Sequence, residues 1–164
     1  MDGYKYIKRH AENCIKEYEK MFKAILITGP RQSGKSTLLT HLKADLDYIT
    51  FDNMVVRKQF NDDPINFFKT YKMPIILDEV QREKGLFLQL KYEIDKKQDK
   101  AQVYMSGSES FLLMENISES LAGRVGILNL LPLSIREKYG IDYRDNFLLQ
   151  ELQRHKPAFN NISG

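Results

Sequence analysis

The sequence predicts an α/β fold built on a mainly parallel five-stranded sheet, and three observations carry that prediction. Strand-like and helix-like patterns alternate along the chain, as parallel strands require, because each crossover between them runs through a helix. The strand patterns at 24–28 and 74–80 are short, nearly continuous apolar runs, as expected where helices cover both faces of a sheet. The first of them passes directly through Gly29-Pro30-Arg31-Gln32-Ser33-Gly34-Lys35-Ser36 into a helical pattern, which is the setting of a phosphate-binding loop.

Composition narrows the classes. A chain of 164 residues, 42% hydrophobic and 29% charged, suits one globular domain with a substantial core. No apolar run reaches the length of a membrane span, and the start Met1-Asp2-Gly3-Tyr4-Lys5 has no secretory apolar region, so cytoplasm is the expected compartment. Cys14 is the single cysteine, which excludes a disulfide framework and a thiolate metal cluster. His10, His41 and His155 show no ligand spacing. The net charge of +3 accommodates an anionic ligand but does not argue for nucleic acid.

Taken in order, residues 4–22 carry Ile7, Ala11, Cys14, Tyr18, Met21 and Phe22 at helical spacing. They predict an amphipathic helix packed on the sheet, with a docking face as the alternative. Cys14 lies on that stripe and is expected to be buried. Residues 24–28 form the first strand, and Leu38, Leu39, Leu42 and Leu46 space as the helix after the loop. A second strand spans 48–51. Two short helices follow at 53–60 and 63–71, the latter with Pro64 in its first turn. The third strand, 74–80, delivers Asp78 and Glu79 at its C-terminal end, and Leu86, Leu90 and Ile94 mark another helix. A fourth strand at 101–105 runs into Ser106-Gly107-Ser108, a mixed segment reaches Arg124, and a fifth strand covers 125–131. Residues 133–139 read as a short helix with Ser134 near its cap. A helical stretch near 147–152 and a polar, loosely held end close the chain. The expected organisation is an N-terminal helix (1–23), a core (24–140) and a partial helical C-terminal segment (141–164).

The chemistry concentrates at the strand C-termini, which right-handed crossovers bring to one edge. Gly29 and Gly34 permit backbone angles and close approach that let successive N–H groups of the loop surround phosphate oxygens, and the candidate binding residues are Gly29, Pro30, Arg31, Gln32, Ser33, Gly34, Lys35, Ser36 and Thr37. The following helix adds the positive end of its dipole. Lys35 supplies a point charge for terminal phosphates and Ser36 a hydroxyl for magnesium. About forty residues further on, Asp78 suits a magnesium held through water opposite Ser36. Glu79 is placed to polarise a water for in-line attack. Two acids at a sheet edge cost electrostatic free energy unless a cation neutralises them, and the pair favours hydrolysis over transfer to a small acceptor. Ser106 and Ser108 suit contacts to the water or the γ-phosphate, and a tight Ser-Gly turn explains them nearly as well. Arg124 is the candidate for stabilising transition-state charge, in cis or across a subunit interface, with a structural ion pair as the alternative. Arg31 is expected to pair with an acid and brace the loop.

These motifs resemble a large prokaryotic family of AAA-type P-loop ATPases whose members carry a C-terminal domain of unknown function. The resemblance rests on residues 29–38, Asp62-Asp63-Pro64 with Phe67-Phe68, and Leu77-Asp78-Glu79-Val80-Gln81. Ser106-Gly107-Ser108, Ser120-Leu121-Ala122-Gly123-Arg124 and Leu131-Pro132-Leu133-Ser134 with Glu137 agree in the same order. It implies a three-layer α/β/α P-loop NTPase of the additional-strand glutamate class, with sheet order 5-1-4-3-2. It also implies Lys35, Ser36, Asp78 and Glu79 in the roles above, Ser106 or Ser108 near a sensor position, and Arg124 as a finger. Family members continue past the Pro-Leu-Ser segment into a helical lid and a further domain, so this chain is expected to be the ATPase core alone.

The leading expectation is therefore a magnesium-dependent ATPase, with ATP and Mg²⁺ as ligands, whose binding and hydrolysis switch the conformation of something attached. A regulatory module that holds ATP or ADP with little turnover is the alternative, and a small-molecule kinase ranks third. Homo-oligomers, an attached C-terminal domain and nucleic acid enter as partners by resemblance only, and no membrane is expected.

Overall fold

The phosphate-loop strand lies inside the sheet, flanked on both sides by strands that come far later in the chain. The computed structural model describes residues 6–108 and 111–142. Its elements are α1 (Ala11–Met21), β1 (Ala24–Thr28), α2 (Lys35–Leu42), β2 (Asp47–Thr50), α3 (Met54–Asp62), α4 (Pro64–Thr70), β3 (Ile75–Asp78), a 3-10 turn (Val80–Arg82), α5 (Leu86–Asp95), β4 (Val103–Ser106), α6 (Phe111–Ser120), β5 (Val125–Asn129) and α7 (Ile135–Lys138). The five strands run in the order β2-β3-β4-β1-β5 and every pairing is parallel. The expected order and fold class are thus observed.

The chain divides into two compact units, Ala11–Pro132 and the pairing of Met1–His10 with Leu133–Gly164. In the first, Ala24, Leu26, Ile75, Leu77, Val103 and Met105 bury one sheet face in a common core with α3, α4, α5 and α6. Phe51, Phe60, Phe67 and Phe68 fill it edge to face, the geometry aromatic quadrupoles prefer. Truncating Phe67 would cost about 3–5 kcal/mol, so the Asp-Pro-x-x-Phe-Phe motif supports the core beneath the site. Asn53 and Asp63 cap α3 and α4 by accepting from the N–H groups of Val55 and Asn66, and Pro64 opens α4.

Three expectations need correction. The N-terminal helix starts at Ala11. Arg9 Nε and the His10 N–H both donate to Glu137 Oε1 (3.0 and 2.9 Å), which holds those residues out of helical geometry. Cys14 is exposed rather than buried. The inward face runs through Glu12, Ile15 and Phe22, and the Tyr18 and Phe22 rings lie against Gly126 of β5, where a Cβ would sit 2.6 Å from each. Residues 111–120, read as a mixed segment, form α6, with Leu113, Ile117 and Leu121 buried at a spacing of four.

In the second unit, of which 6–10 and 133–142 are described, Ser134 and Glu137 close a reciprocal capping box on α7. The stretch near 147–152 lies outside the described residues. Among those described, no helix is long and apolar enough to cross a membrane.

Candidate functional site

Strand register sets the site. Pairing of Ile27 with Ser106, and of Leu77 with Met105, places Asp78, Ser106 and the start of the Gly29 loop along one sheet edge. Gly29 has φ 138°, and a Cβ there would meet the Leu130 carbonyl oxygen at 2.3 Å, so only glycine fits between β1 and the chain leaving β5. Gly34, at φ 90°, caps α2, and Gln32 between them also adopts a left-handed angle, φ 63°. The loop thus turns repeatedly through left-handed angles, the kind of backbone from which successive N–H groups can surround an anion. Lys35 is buried, and its Nζ donates to the Gly29 and Pro30 carbonyls, at 3.0 and 2.9 Å. Among the described residues it has no carboxylate partner. A buried ammonium satisfied by carbonyl dipoles alone leaves its charge for an incoming anion.

Asp78 is 6% exposed at the end of β3. Its Oδ1 accepts from Ser36 Oγ at 2.9 Å and from Ser106 Oγ, and its Oδ2 from the Tyr48 hydroxyl. Three neutral hydroxyls, and no cation among the described residues, hold this carboxylate. Tyr48 pairs with Ile76, two residues before Asp78, so both side chains share a sheet face and the long phenol reaches across. Burial, and then the Asp78 carboxylate it donates to, push the Tyr48 phenol well above its ordinary range.

Glu79 follows in a left-handed conformation, φ 55°, which is uncommon for a residue with a Cβ. Its carboxylate accepts from Gln81 Nε2, and the Gln81 Oε1 accepts from the Ser108 N–H at 3.2 Å. An open cleft of about 410 Å³ is lined by Lys35, Ser36, Thr37, Glu79, Asp52 and Arg82, among others. A second, of about 570 Å³, shares Arg31 and Arg82 and adds Gln81 and Ser108.

The structure therefore brings together Gly29, Arg31, Gln32, Gly34, Lys35, Ser36, Thr37, Asp78, Glu79, Ser106 and Ser108. It does not bring Arg124 to them. That residue precedes β5 at the opposite edge, where its backbone carbonyl accepts from Ala24 N–H, and its Nε and Nη2 grip Asp95 at 2.7 and 3.0 Å. The length of β1, about 16 Å, separates it from the phosphate loop, which rules out action in cis. Arg31 is also corrected: exposed at the cleft, it makes no ion pair among the described residues. The nearby acid Asp52 is taken by Arg82 at 2.8 Å.

Tyr48, Asp52, Gln81 and Arg82 were missed as site residues. For Tyr48 a signal existed, a tyrosine on the strand beside the one ending in Asp78, but only the strand order makes it meaningful.

A parallel sheet with a glycine-bounded loop feeding α2, and an acid ending the strand two places away, defines a P-loop nucleotide-binding fold. A family profile described as "AAA domain" matches residues 21–139, and the chain belongs to that family of P-loop ATPases. Two curated relatives, the uncharacterized proteins Mb2031c of Mycobacterium bovis and Rv2008c of Mycobacterium tuberculosis, are each 36% identical over 115 residues. The match takes in 69% of this chain and 26% of each relative, so the chain spans about a quarter of their length. Among solved structures, C. elegans PCH-2 is similar at 17% identity and a TM-score of 0.35, covering 80% of this chain and 41% of that one. That likeness is too low to carry a conclusion here.

Proposed function

We propose that this domain binds ATP with magnesium and hydrolyses it, using the energy to switch the conformation of what adjoins it. The observation that carries the reading is the buried Lys35 ammonium beside the Ser36–Asp78 contact of 2.9 Å. The first is held by two carbonyls, with no carboxylate partner among the described residues, and the second is an oxygen-only pair suited to a hard cation.

Ser36 and Asp78 would hold the magnesium, which neutralises phosphate charge when bound. The N–H groups of residues 31–37 and the Lys35 ammonium orient the β- and γ-phosphates. Glu79 accepts a proton from the attacking water as its oxygen bonds to γ-phosphorus and the bond to the β–γ bridging oxygen breaks, releasing ADP and phosphate. Arg31 and Arg82 are arginines that line the cleft in cis beside Lys35. Arg124, paired with Asp95, serves as a structural ion pair, and any part it takes in catalysis would be on a neighbouring copy.

Replacement of Glu79 by Gln tests the reading. Turnover should fall at least about 100-fold while Mg·ATP affinity stays unchanged. Equal, slow rates in both proteins would instead favour a regulatory module that merely holds nucleotide.

A further inference from the structure

The Gln81 side chain joins the end of β3 to the loop after β4. It sits on a tight turn closed by the Arg82 N–H donating to the Glu79 carbonyl at 3.0 Å. Its Nε2 donates to Glu79 Oε2 while its Oε1 accepts from Ser108 N–H. A primary amide suits that position because donor and acceptor sit on opposite sides of one rigid plane. Glutamate would repel Glu79, and a shorter amide would not span the gap.

Gly107 supplies an independent observation. A Cβ at that position would lie 2.6 Å from Gln81 Oε1, whereas its next neighbours, Leu113 Cδ2 and Val80 Cγ2, stand at 3.3 and 3.5 Å. The glycine therefore leaves room for the Gln81 amide above all. Glu79 in turn holds a left-handed backbone angle, which a non-glycine residue keeps only where its surroundings over-determine it. The amide bridge is one of those constraints.

We propose that Gln81 is a positioning residue for hydrolysis. It fixes the Glu79 carboxylate through Oε2, leaves Oε1 to the attacking water, and ties that geometry to the loop at Ser108. The inference rests on Glu79 acting as the base.

Four variants test it by two readouts, steady-state turnover of Mg·ATP and hydrogen exchange at the Ser108 amide. In Gln81→Ala, kcat should fall about 10- to 100-fold, the effect of a catalytic group displaced by about an ångström, with KM unchanged. The Ser108 amide should lose its protection. Gly107→Ala should do the same by expelling the amide, and the double variant should be no worse than either single one, since both remove one interaction. Gln81→Glu keeps the acceptor and loses the donor, so Ser108 should stay protected while kcat falls. An unprotected Ser108 amide in the unmodified protein would overturn the bridge. Unchanged turnover in Gln81→Ala, or additive losses in the double variant, would overturn the positioning role. If Gly107→Ala does not fold, the Gln81 pair alone decides. Glu79→Gln separates the levels. If it is inactive while Gln81→Ala is fully active, only this inference fails; if it is as fast as the unmodified protein, the hydrolysis reading fails and the inference with it.

Discussion

The two edges of the sheet treat their charged side chains differently. At the N-terminal edge Arg124 and Lys23 are each closed off by partners at the end of α5. Arg124 is bidentate on Asp95, which lowers the acid and raises the guanidinium chiefly through their hydrogen bonds. Lys23 donates to the Ile94 and Lys97 carbonyls at the end of α5, where the helix dipole favours a cation. At the C-terminal edge Arg82 and Asp52 pair with each other, but the three charges on the phosphate loop and the end of β3 are held by neutral groups: Lys35 by two carbonyls, Asp78 by three hydroxyls, Glu79 by an amide. Neutral partners can be exchanged for a phosphate or a cation at small cost, while an opposite charge already satisfies the group it meets. The difference separates the Arg124–Asp95 pair from the site more sharply than residue type does, because an arginine of the scaffold resembles a catalytic one in sequence.

The largest effect that can break this contrast is at Lys35. Lys35→Ala should weaken ATP binding at least about 100-fold, measured by calorimetry; unchanged affinity would mean that the buried ammonium is scaffold. Next comes Tyr48→Phe, which removes one donor from Asp78. The magnesium concentration needed for tight ATP binding should rise about 10-fold, as for other residues that orient a metal ligand, with magnesium-free affinity unaltered.

A carboxylate in the second unit offers a contrast in pH. Burial raises the Glu137 pKa, but the Ser134 and His10 N–H groups and the Arg9 guanidinium outweigh it and bring it from 4.5 down to about 2. A folded value below the unfolded one means stability that is complete above about pH 4.5 and lost as pH falls through about 2. Glu137→Gln should therefore cost about 1–2 kcal/mol at neutral pH, and the gap in melting temperature should close in acid. The smallest effect is expected at Arg124. Arg124→Ala should leave melting nearly unchanged, since exposed ion pairs contribute little, and should leave turnover of dilute monomer intact. A loss of turnover that appears only at high protein concentration would show it acting on a neighbour.

Much of this was legible in the chain. The phosphate loop, the acids ending β3 and the caps at Asn53, Asp63 and Ser134 are local patterns, fixed by a few consecutive residues. Cys14 was misplaced because Glu12 and Ile15 define the inward face together, and a buried glutamate does not look apolar. Helix α6 was overlooked although Leu113, Ile117 and Leu121 mark it. Tyr48, Gln81, Asp52 and Arg82 belong to a different class: each contributes only through a neighbour on another strand or loop.

By itself, then, the sequence determined the class of fold, the loop that meets phosphate and the acids opposite it, because backbone angles and hydrophobic period are written locally. Only tertiary structure decided which arginines face the cleft, that Tyr48 reaches Asp78, and that Gln81 links Glu79 to Ser108. Those contacts arise from strand register and crossover geometry, which bring together residues far apart in the chain and carry no local signature of their own.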